Sequence, residues 1–333
     1  MNSHLTASKR FVLAALALTA MIFLGKTGGR VVHRAEANGG GGGEPAARRV
    51  EELTLRGGQL RDAGRYATAT PLLAEALALA EKTFGENALE VAAVLNQIGM
   101  LGKYDGHFDE AEAAYGRALQ IAERSAGLEH ALAATLFHNL GGLAHARGRF
   151  AEGEPWARRS VEIRERLVGP EHPATAADAA ALAALLDGQN KYDEAEKLYR
   201  RALAIFERAY GPEHLEVAVN LNNLGALCQA TGRTEEAEAH FLRALALKEK
   251  LLGARHPDVG LTLNNLAVFY KSQRRWEEAA ELYRRALGIF TAALPPSHPK
   301  VIQCQENFAR LRRAFPGTKN LAFRPTAEPE ERP

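Results

Sequence analysis

The feature that most constrains the fold of this chain is a 42-residue repeat that runs through most of its length. Shifting the sequence by 42 residues aligns one column of glycines and one column of mostly aromatic residues, with no insertion between copies. The columns are Gly85, Gly127, Gly169, Gly211, Gly253 and Pro295, and Tyr66, Phe108, Phe150, Tyr192, Thr234 and Trp276. A fixed repeat of this kind is typical of a solenoid, in which each unit buries its apolar face against its neighbours.

Each copy of the repeat contains two apolar-periodic segments of helical length. In the copy at residues 211–252, Leu221 and Leu224 lie on one face of the first segment, and Ala237 and Phe241 lie on one face of the second. Small residues recur where two helices approach closely, and large residues recur where the next unit must be filled. The sequence therefore predicts an all-α fold, a right-handed α-solenoid of about six antiparallel helix pairs with a C-terminal capping helix.

The domain boundaries follow from the repeat and from the composition of the flanking segments. The array is expected to span residues 50–314, and the tail 315–333 lacks periodicity and is predicted to be disordered. An unbroken glycine run, Gly39–Gly43, indicates a flexible linker over residues 38–49. The predicted units are residues 50–84, 85–126, 127–168, 169–210, 211–252 and 253–294, followed by a cap helix at 298–314.

The N-terminal segment, residues 1–37, indicates membrane targeting. Lys9 and Arg10 precede an apolar run over residues 11–24, which is short for a bilayer span but fits the apolar region of a secretory signal. Ala35-Glu36-Ala37 has the form of a cleavage site, although ten residues separate it from the run. Three interpretations stay open: a cleaved signal, an uncleaved anchor, and a non-native extension from a misplaced start. The chain is expected to be membrane-anchored or exported, and cytoplasmic if the segment is a start-site artefact.

Charge and cysteine content exclude several classes of function. Residues 1–50 contain seven Lys and Arg against two Glu, so at a total net charge of +2 the rest of the chain carries −3. A slightly acidic array argues against nucleic acid as the main partner. Cys228 and Cys304 are too few for a disulfide framework, have no metal-ligand neighbour at short spacing, and fall on apolar helix faces. Both are predicted to be buried small hydrophobes.

No pattern in the sequence indicates catalysis or a bound metal. Five histidines share one column in the turn between units, but a whole repeat separates successive members, so they are predicted to cap or pack the turn. This column contains His130, His172, His214, His256 and His298. The sequence has no HExxH motif, nucleophile elbow or glycine-rich phosphate loop. We therefore expect no catalytic residue, no metal site and no cofactor.

The remaining polar signal lies on the first helix of each unit, which lines the concave side of a helix-pair solenoid. Asparagine-rich pairs recur there, with a further polar column one turn onward, and an amide ladder can hold an extended peptide by its backbone. Alternatively, these asparagines hydrogen-bond neighbouring helices. We expect the first of each pair to face the groove and the second to be partly structural. The predicted peptide-binding residues are Asn96, Gln97, Lys103, His138, Asn139, His145, Asn222, Asn223, Gln229, Asn264, Asn265 and Lys271. The fourth unit has no asparagine over residues 175–186, which predicts an apolar centre.

The repeat resembles the tetratricopeptide repeat, an antiparallel helix pair with a usual period of about 34 residues. The matching positions in one unit are Leu221, Leu224, Gly225, Gly232, Ala237, Phe241 and Ala244. The segments LNNLAVFY, WEEAAELYRRALGIF and GARHPDV make the 42-residue version similar to the kinesin light chain repeat over roughly residues 50–313. The resemblance does not extend to the heptad coiled coil by which kinesin light chains attach to their motor.

The resemblance and the groove residues together predict a non-catalytic interaction scaffold that binds a peptide or partner segment in its concave groove. The alternative is a structural, self-assembling protein that stacks or dimerises through its helices. Some tetratricopeptide domains grip a C-terminal carboxylate with Lys and Asn, but the Lys is replaced here by Asn, His or Ala, so that clamp is not expected. The expected partners are a protein or peptide of unknown identity and, through residues 11–24, a membrane. No feature of the sequence supports an enzymatic function.

Overall fold

The computed structural model describes residues 43–315, and over that range the chain is a series of thirteen α-helices without any strand. The helices are α1 (Gly43–Asp62), α2 (Tyr66–Phe84), α3 (Leu89–Asp105), α4 (Phe108–Ala126), α5 (Ala131–Ala146), α6 (Phe150–Val168), α7 (Pro173–Gly188), α8 (Tyr192–Tyr210), α9 (Leu215–Ala230), α10 (Thr234–Leu252), α11 (Pro257–Ser272), α12 (Trp276–Ala293) and α13 (Pro299–Ala314). The first twelve form six antiparallel pairs, and α13 packs against α12. The predicted all-α repeat solenoid is confirmed.

In three of the pairs, a glycine on the first helix lies against a large side chain of the second helix: Gly57 against Leu73, Gly99 against Tyr115 and Gly225 against Phe241. A Cβ atom added at Gly99 of α3 would lie 2.5 Å from the Tyr115 ring of α4. The Tyr115 side chain is fully buried, as is its equivalent Phe241 in the fifth pair. The core is therefore filled by complementary shapes that repeat with the sequence, and a larger residue at the glycine position would separate the two helices.

A histidine is the N-cap residue, directly before the helix, of α5, α7, α9, α11 and α13. The Nδ1 atom of His214 accepts the backbone N–H of Glu216 at 3.2 Å, which caps the N-terminus of α9. His172, His256 and His298 make the equivalent bond at the starts of α7, α11 and α13. The predicted capping role is confirmed for these four histidines. His130 precedes α5 without such a bond, so that helix starts with one backbone donor fewer satisfied.

The superhelix is curved enough for its ends to meet along a contact that we call the seam. His298 Nε2 lies 2.8 Å from the carbonyl oxygen of Tyr104, and His256 Nε2 lies 3.2 Å from that of Asp62. Because Nδ1 of each ring accepts the capping bond, the proton of the neutral ring is on Nε2, which donates to the carbonyl. Both bonds span 194 residues of sequence. The seam therefore repeats with the 42-residue period.

The boundaries of the array differ from the prediction at the N-terminal end. Residues 43–49, assigned to the glycine-rich linker from composition, form the start of α1. Ala46 and Ala47 are strong helix formers, and Pro45 is tolerated because it lies in the first turn. The predicted signal or anchor, the rest of the linker and nearly all of the predicted disordered tail lie outside the described residues. Between Gly43 and Ala314, no helix is long and apolar enough to cross a membrane.

Candidate binding groove

The asparagines of the inner helices form a hydrogen-bonded chain that we call the amide ladder. Asn139 Nδ2 donates to Asn96 Oδ1 at 2.8 Å, and the two residues are 43 positions apart. The same bond joins Asn265 to Asn222 at 3.3 Å and Asn307 to Asn264 at 3.4 Å. The second asparagine of one unit thus donates to the first asparagine of the preceding unit. The ladder therefore connects neighbouring first helices, which is the structural alternative considered from the sequence.

The asparagines of these pairs are buried, whereas Gln97 is partly exposed. All six predicted asparagines are at most 7% exposed, and His138 is also buried. The expectation that the first asparagine faces an open groove is therefore not met. The physical reason is the tight curvature that forms the seam, since it draws the first helices together on the concave side.

The amide ladder is interrupted in the fourth unit. Asn223 Nδ2 is buried and has no hydrogen-bond partner among residues 43–315. The residue 43 positions earlier is Ala180, which has no side-chain acceptor. The predicted apolar centre of the inner face is thus present at Ala180, and its consequence is an unsatisfied amide donor in the next unit.

A buried ionic cluster instead joins the third unit to the fourth. His138 Nδ1 lies 2.8 Å from Asp178 Oδ1, and Arg164 Nε donates to Asp178 Oδ2 at 2.9 Å. Burial by itself would raise the pKa of Asp178, but the His138 and Arg164 interactions hold it below its usual range. Asp178 is not among the predicted site residues, although it is the only acidic residue in the otherwise apolar segment 175–186.

Besides Gln97, four polar side chains at equivalent positions of the first helices are partly exposed, and we call them the inner polar row: Lys103, Asp187, Gln229 and Lys271. All four are partly exposed, and none has a side-chain hydrogen bond or ion pair within the described part of the chain. They come from α3, α7, α9 and α11, near the C-terminal end of each helix. His145, which was predicted as a binding residue, is instead buried, and its ring centroid lies 5.3 Å from that of Phe150. Burial and nearby Lys103 lower its pKa to about 4.

Positive charge collects at the Lys103 end of the row. The Nζ atoms of Lys103 and Lys300 lie 5.1 and 5.9 Å from the centroid of the Tyr104 ring. Burial, together with Arg61 and Lys300, lowers the pKa of Lys103 to about 7. Arg61 is itself buried and donates to Gln97 Oε1 at 2.5 Å, so Gln97 is engaged within the protein. Lys300 belongs to α13 and reaches this place across the seam, which no sequence pattern indicated.

A comparison with known protein families matches the tetratricopeptide repeat to residues 51–124, 132–208, 189–250, 215–292 and 258–315. These segments cover most of the chain. The chain belongs to the tetratricopeptide repeat family. No curated protein matches it.

Several solved structures are similar to this tetratricopeptide repeat protein. BtubC (BKLC) from P. vanneervenii is 24% identical, over 87% of this chain and 93% of that chain, with a TM-score of 0.47. A kinesin light chain from Podosopora anserina with nearly identical repeats is 23% identical, over 60% of this chain and 94% of that chain, with a TM-score of 0.44. Aspartyl phosphate phosphatase F from Bacillus subtilis is 11% identical, over 87% of this chain and 74% of that chain, with a TM-score of 0.52. At these identities the similarity concerns the fold alone.

Proposed function

We propose that this tetratricopeptide repeat protein is a non-catalytic scaffold that binds a peptide or partner segment along the inner polar row. The observation that carries the proposal is the row itself: four partly exposed polar side chains at repeat spacing on the first helices, none of which has a side-chain hydrogen bond or ion pair within residues 43–315. A polar group held in a narrow groove loses part of its hydration, so an extended ligand that pairs with it gains free energy. The amide ladder stiffens the wall behind the row.

The positive charges of Lys103 and Lys300 favour an acidic group of the ligand at their end of the groove. Lys103 and Lys300 meet at the seam beside Arg61, whose own charge is paired with Asp62 at 2.7 Å, and the side chain of Lys103 has no anionic partner within residues 43–315. A carboxylate placed between the two lysines would relieve their mutual repulsion and favour the protonated form of Lys103. The preferred ligand is therefore a segment with at least one acidic residue at this end, and its affinity falls as the salt concentration rises.

The experiment is a selection of binding peptides from a random library on the immobilised full-length chain, followed by affinity measurements with fluorescence anisotropy. We expect Lys103→Ala, Gln229→Ala and Lys271→Ala each to weaken binding about tenfold, which corresponds to about 1.4 kcal/mol. Lys82→Ala and Lys197→Ala change exposed residues of second helices and serve as matched controls with unchanged affinity. Equal affinity in all five variants would rule out the inner polar row as the binding site.

Self-association is the second candidate function, and one observation favours it. His214 caps α9 through Nδ1 in the same way as the seam histidines, yet its Nε2 has no hydrogen-bond partner within residues 43–315. A helix-end carbonyl oxygen of a second copy could accept a hydrogen bond from His214 Nε2, as the Tyr104 carbonyl oxygen does from His298 Nε2 within the chain. Light scattering over a range of concentrations tests this, with His214→Asn as the variant. A strict monomer at every concentration argues against self-association.

The location of the protein is proposed from residues 11–24 alone. We propose that this apolar run, preceded by Lys9 and Arg10, directs the chain to a membrane or through it. Fractionation of cells that produce the full-length chain, with mass measurement of the mature N-terminus, distinguishes a cleaved signal from a retained anchor. Recovery of the uncleaved chain in the cytoplasmic fraction contradicts the proposal.

A further inference from the structure

Three side chains with metal-binding atoms converge where α9 and α10 pack together. They are Cys228 on α9 and Glu236 and His240 on α10, and their ligand atoms all lie within 4.8 Å of one another. Cys228 Sγ is 3.8 Å from Glu236 Oε2. Cys228 is buried, His240 is partly exposed and Glu236 is exposed, so the three line a short path from the core to the surface.

The repeat provides an internal comparison for these positions. Glutamate is common at the position of Glu236, since Glu110, Glu152, Glu194 and Glu278 stand there in other units. Cysteine at the position of Cys228 and histidine at the position of His240, by contrast, occur in no other unit. The equivalents of Cys228 are Leu60, Gly102, Ala144, Leu186 and Tyr270, and those of His240 are Leu72, Ala114, Trp156, Leu198 and Leu282. The two ligand types that helix packing does not require therefore occur together in one unit, on facing helices.

We propose that Cys228, Glu236 and His240 bind a divalent transition-metal ion of the Zn²⁺ class. A thiolate, an imidazole and a carboxylate suit such an ion better than Ca²⁺ or Mg²⁺, which prefer oxygen ligands. Glu236 and His240 are four residues apart and so share one face of α10. Zn²⁺ bond lengths of about 2.0–2.3 Å require ligand atoms about 3.3–3.8 Å apart in a tetrahedron, a small contraction of the present cluster. Three protein ligands leave a fourth position open.

Metal binding requires two local changes. The Cys228 thiol gives its proton to solvent as the metal–sulfur bond forms. Glu236 Oε2, which lies 3.4 Å from Arg200 Nη2 and 3.6 Å from Arg233 Nη1, turns toward the ion. Arg233 keeps its shorter bond to Glu196 at 2.6 Å. No metal site was expected here because Cys228 has no metal-ligand neighbour at short spacing in the sequence; the three ligands come together only when α10 packs on α9.

The test is titration of the full-length chain, without a polyhistidine tag, with Co²⁺ followed by Zn²⁺. We expect one equivalent of Co²⁺ to produce near-ultraviolet thiolate-to-metal charge-transfer absorption, and Zn²⁺ to displace it. Cys228→Ala should abolish this absorption, and Glu236→Gln and His240→Leu should weaken Co²⁺ binding. The replacements Ala and Leu already occupy the equivalent positions in the third and fourth units, so they are compatible with the fold.

Cys304→Ala is the matched control, because Cys304 is also buried but belongs to no such cluster within the described residues. It should leave the charge-transfer absorption unchanged. In a second measurement, Zn²⁺ should slow alkylation of Cys228 but not of Cys304 in the folded chain, as read by peptide mass spectrometry. Co²⁺ binding without charge-transfer absorption, or absorption that persists in Cys228→Ala, overturns the proposal. So does an alkylation rate of Cys228 that Zn²⁺ leaves unchanged.

Discussion

Asn139 and Asn223 occupy equivalent positions on α5 and α9, yet only Asn139 has a hydrogen-bond partner in the preceding unit. Its amide donates to Asn96 at 2.8 Å, whereas the Asn223 nitrogen faces the position of Ala180. A buried donor without a partner costs free energy that a bonded donor does not. The contribution of a residue to stability in this chain is therefore decided by the unit before it as much as by its own unit.

We predict that Asn139→Ala destabilises the chain more than Asn223→Ala does, by about 1 kcal/mol, because only the former breaks a ladder bond. Ala180→Asn should stabilise the chain by a similar amount, since it places an acceptor opposite Asn223. Urea denaturation of the three variants measures both effects. Equal losses for the two asparagine variants would show that the amide ladder contributes no net stability.

Glu216 makes a pH-dependent contribution to the free energy of unfolding. Burial raises the pKa of Glu216 to about 7 from its ordinary 4.5. Between these pH values the folded state binds more protons than the unfolded state, so the free energy of unfolding decreases as pH rises through this window. Glu216→Gln removes the effect. We expect the variant to gain on the order of 2 kcal/mol over the wild type at pH 8 and little at pH 4.5. The exposed Glu235→Gln should show no such pH dependence.

At the scale of the helices, the inter-unit histidine performs two tasks with its two nitrogens. In His298, Nδ1 caps α13 and Nε2 donates to Tyr104 across the seam. In His214, the same cap is present without a seam bond within the described range. Capping side chains contribute about 1 kcal/mol each, so a short helix such as α13, with only one neighbouring pair to pack against, depends on its cap.

We predict that His298→Ala costs about 2 kcal/mol, because it removes the cap and the seam bond. His298→Asn should cost about half as much, since asparagine caps the helix but cannot reach Tyr104. At His214, replacement by Ala should cost about 1 kcal/mol and replacement by Asn almost nothing. Thermal unfolding of the four variants measures these differences. If His298→Asn is as stable as the wild type, the seam bond adds nothing.

At the scale of the whole molecule, the seam decides how narrow the groove is. Tyr66 and Leu101, from the first two units, belong to the same buried apolar cluster as Val259 and Val301 of the last helices. A solenoid whose units touch only their sequence neighbours would be open and flexible along its length. Here contacts between units far apart in sequence add a second set of restraints. They also bring Lys300 beside Lys103.

Gly106 provides a test of the seam with an internal control. Both Gly106 and Gly232 have positive φ angles, +87° and +78°, so alanine strains the backbone at either site. Only at Gly106 would the new Cβ collide with the seam, 2.8 Å from Pro299 Cδ; at Gly232 nothing lies within 4 Å. We expect Gly106→Ala to increase the radius of gyration measured by small-angle X-ray scattering and to cost about 1 kcal/mol more than Gly232→Ala. Identical scattering profiles for the two variants would contradict a closed superhelix in solution.

The sequence by itself determined the local architecture of this protein. The 42-residue period, the apolar spacing of Leu221 and Leu224, and the turn histidines predicted the helix pairs, their core and their caps, because these depend on residues close together in the chain. Burial of Cys228 and Cys304 followed from the same periodicity.

Only the tertiary structure decided which groove residues stay accessible. Curvature is a small rotation per unit that adds up over the array, and it is set by packing between units, which no single-unit pattern encodes. As a result of this accumulated rotation, the predicted asparagines are buried in the amide ladder and the inner polar row is partly exposed. The same rotation brings His298 to Tyr104, 194 residues away in the sequence. The Cys228, Glu236 and His240 cluster likewise required the packing of α9 on α10. The repeat fixes each unit, and the accumulated rotation between units shapes the surface available for binding.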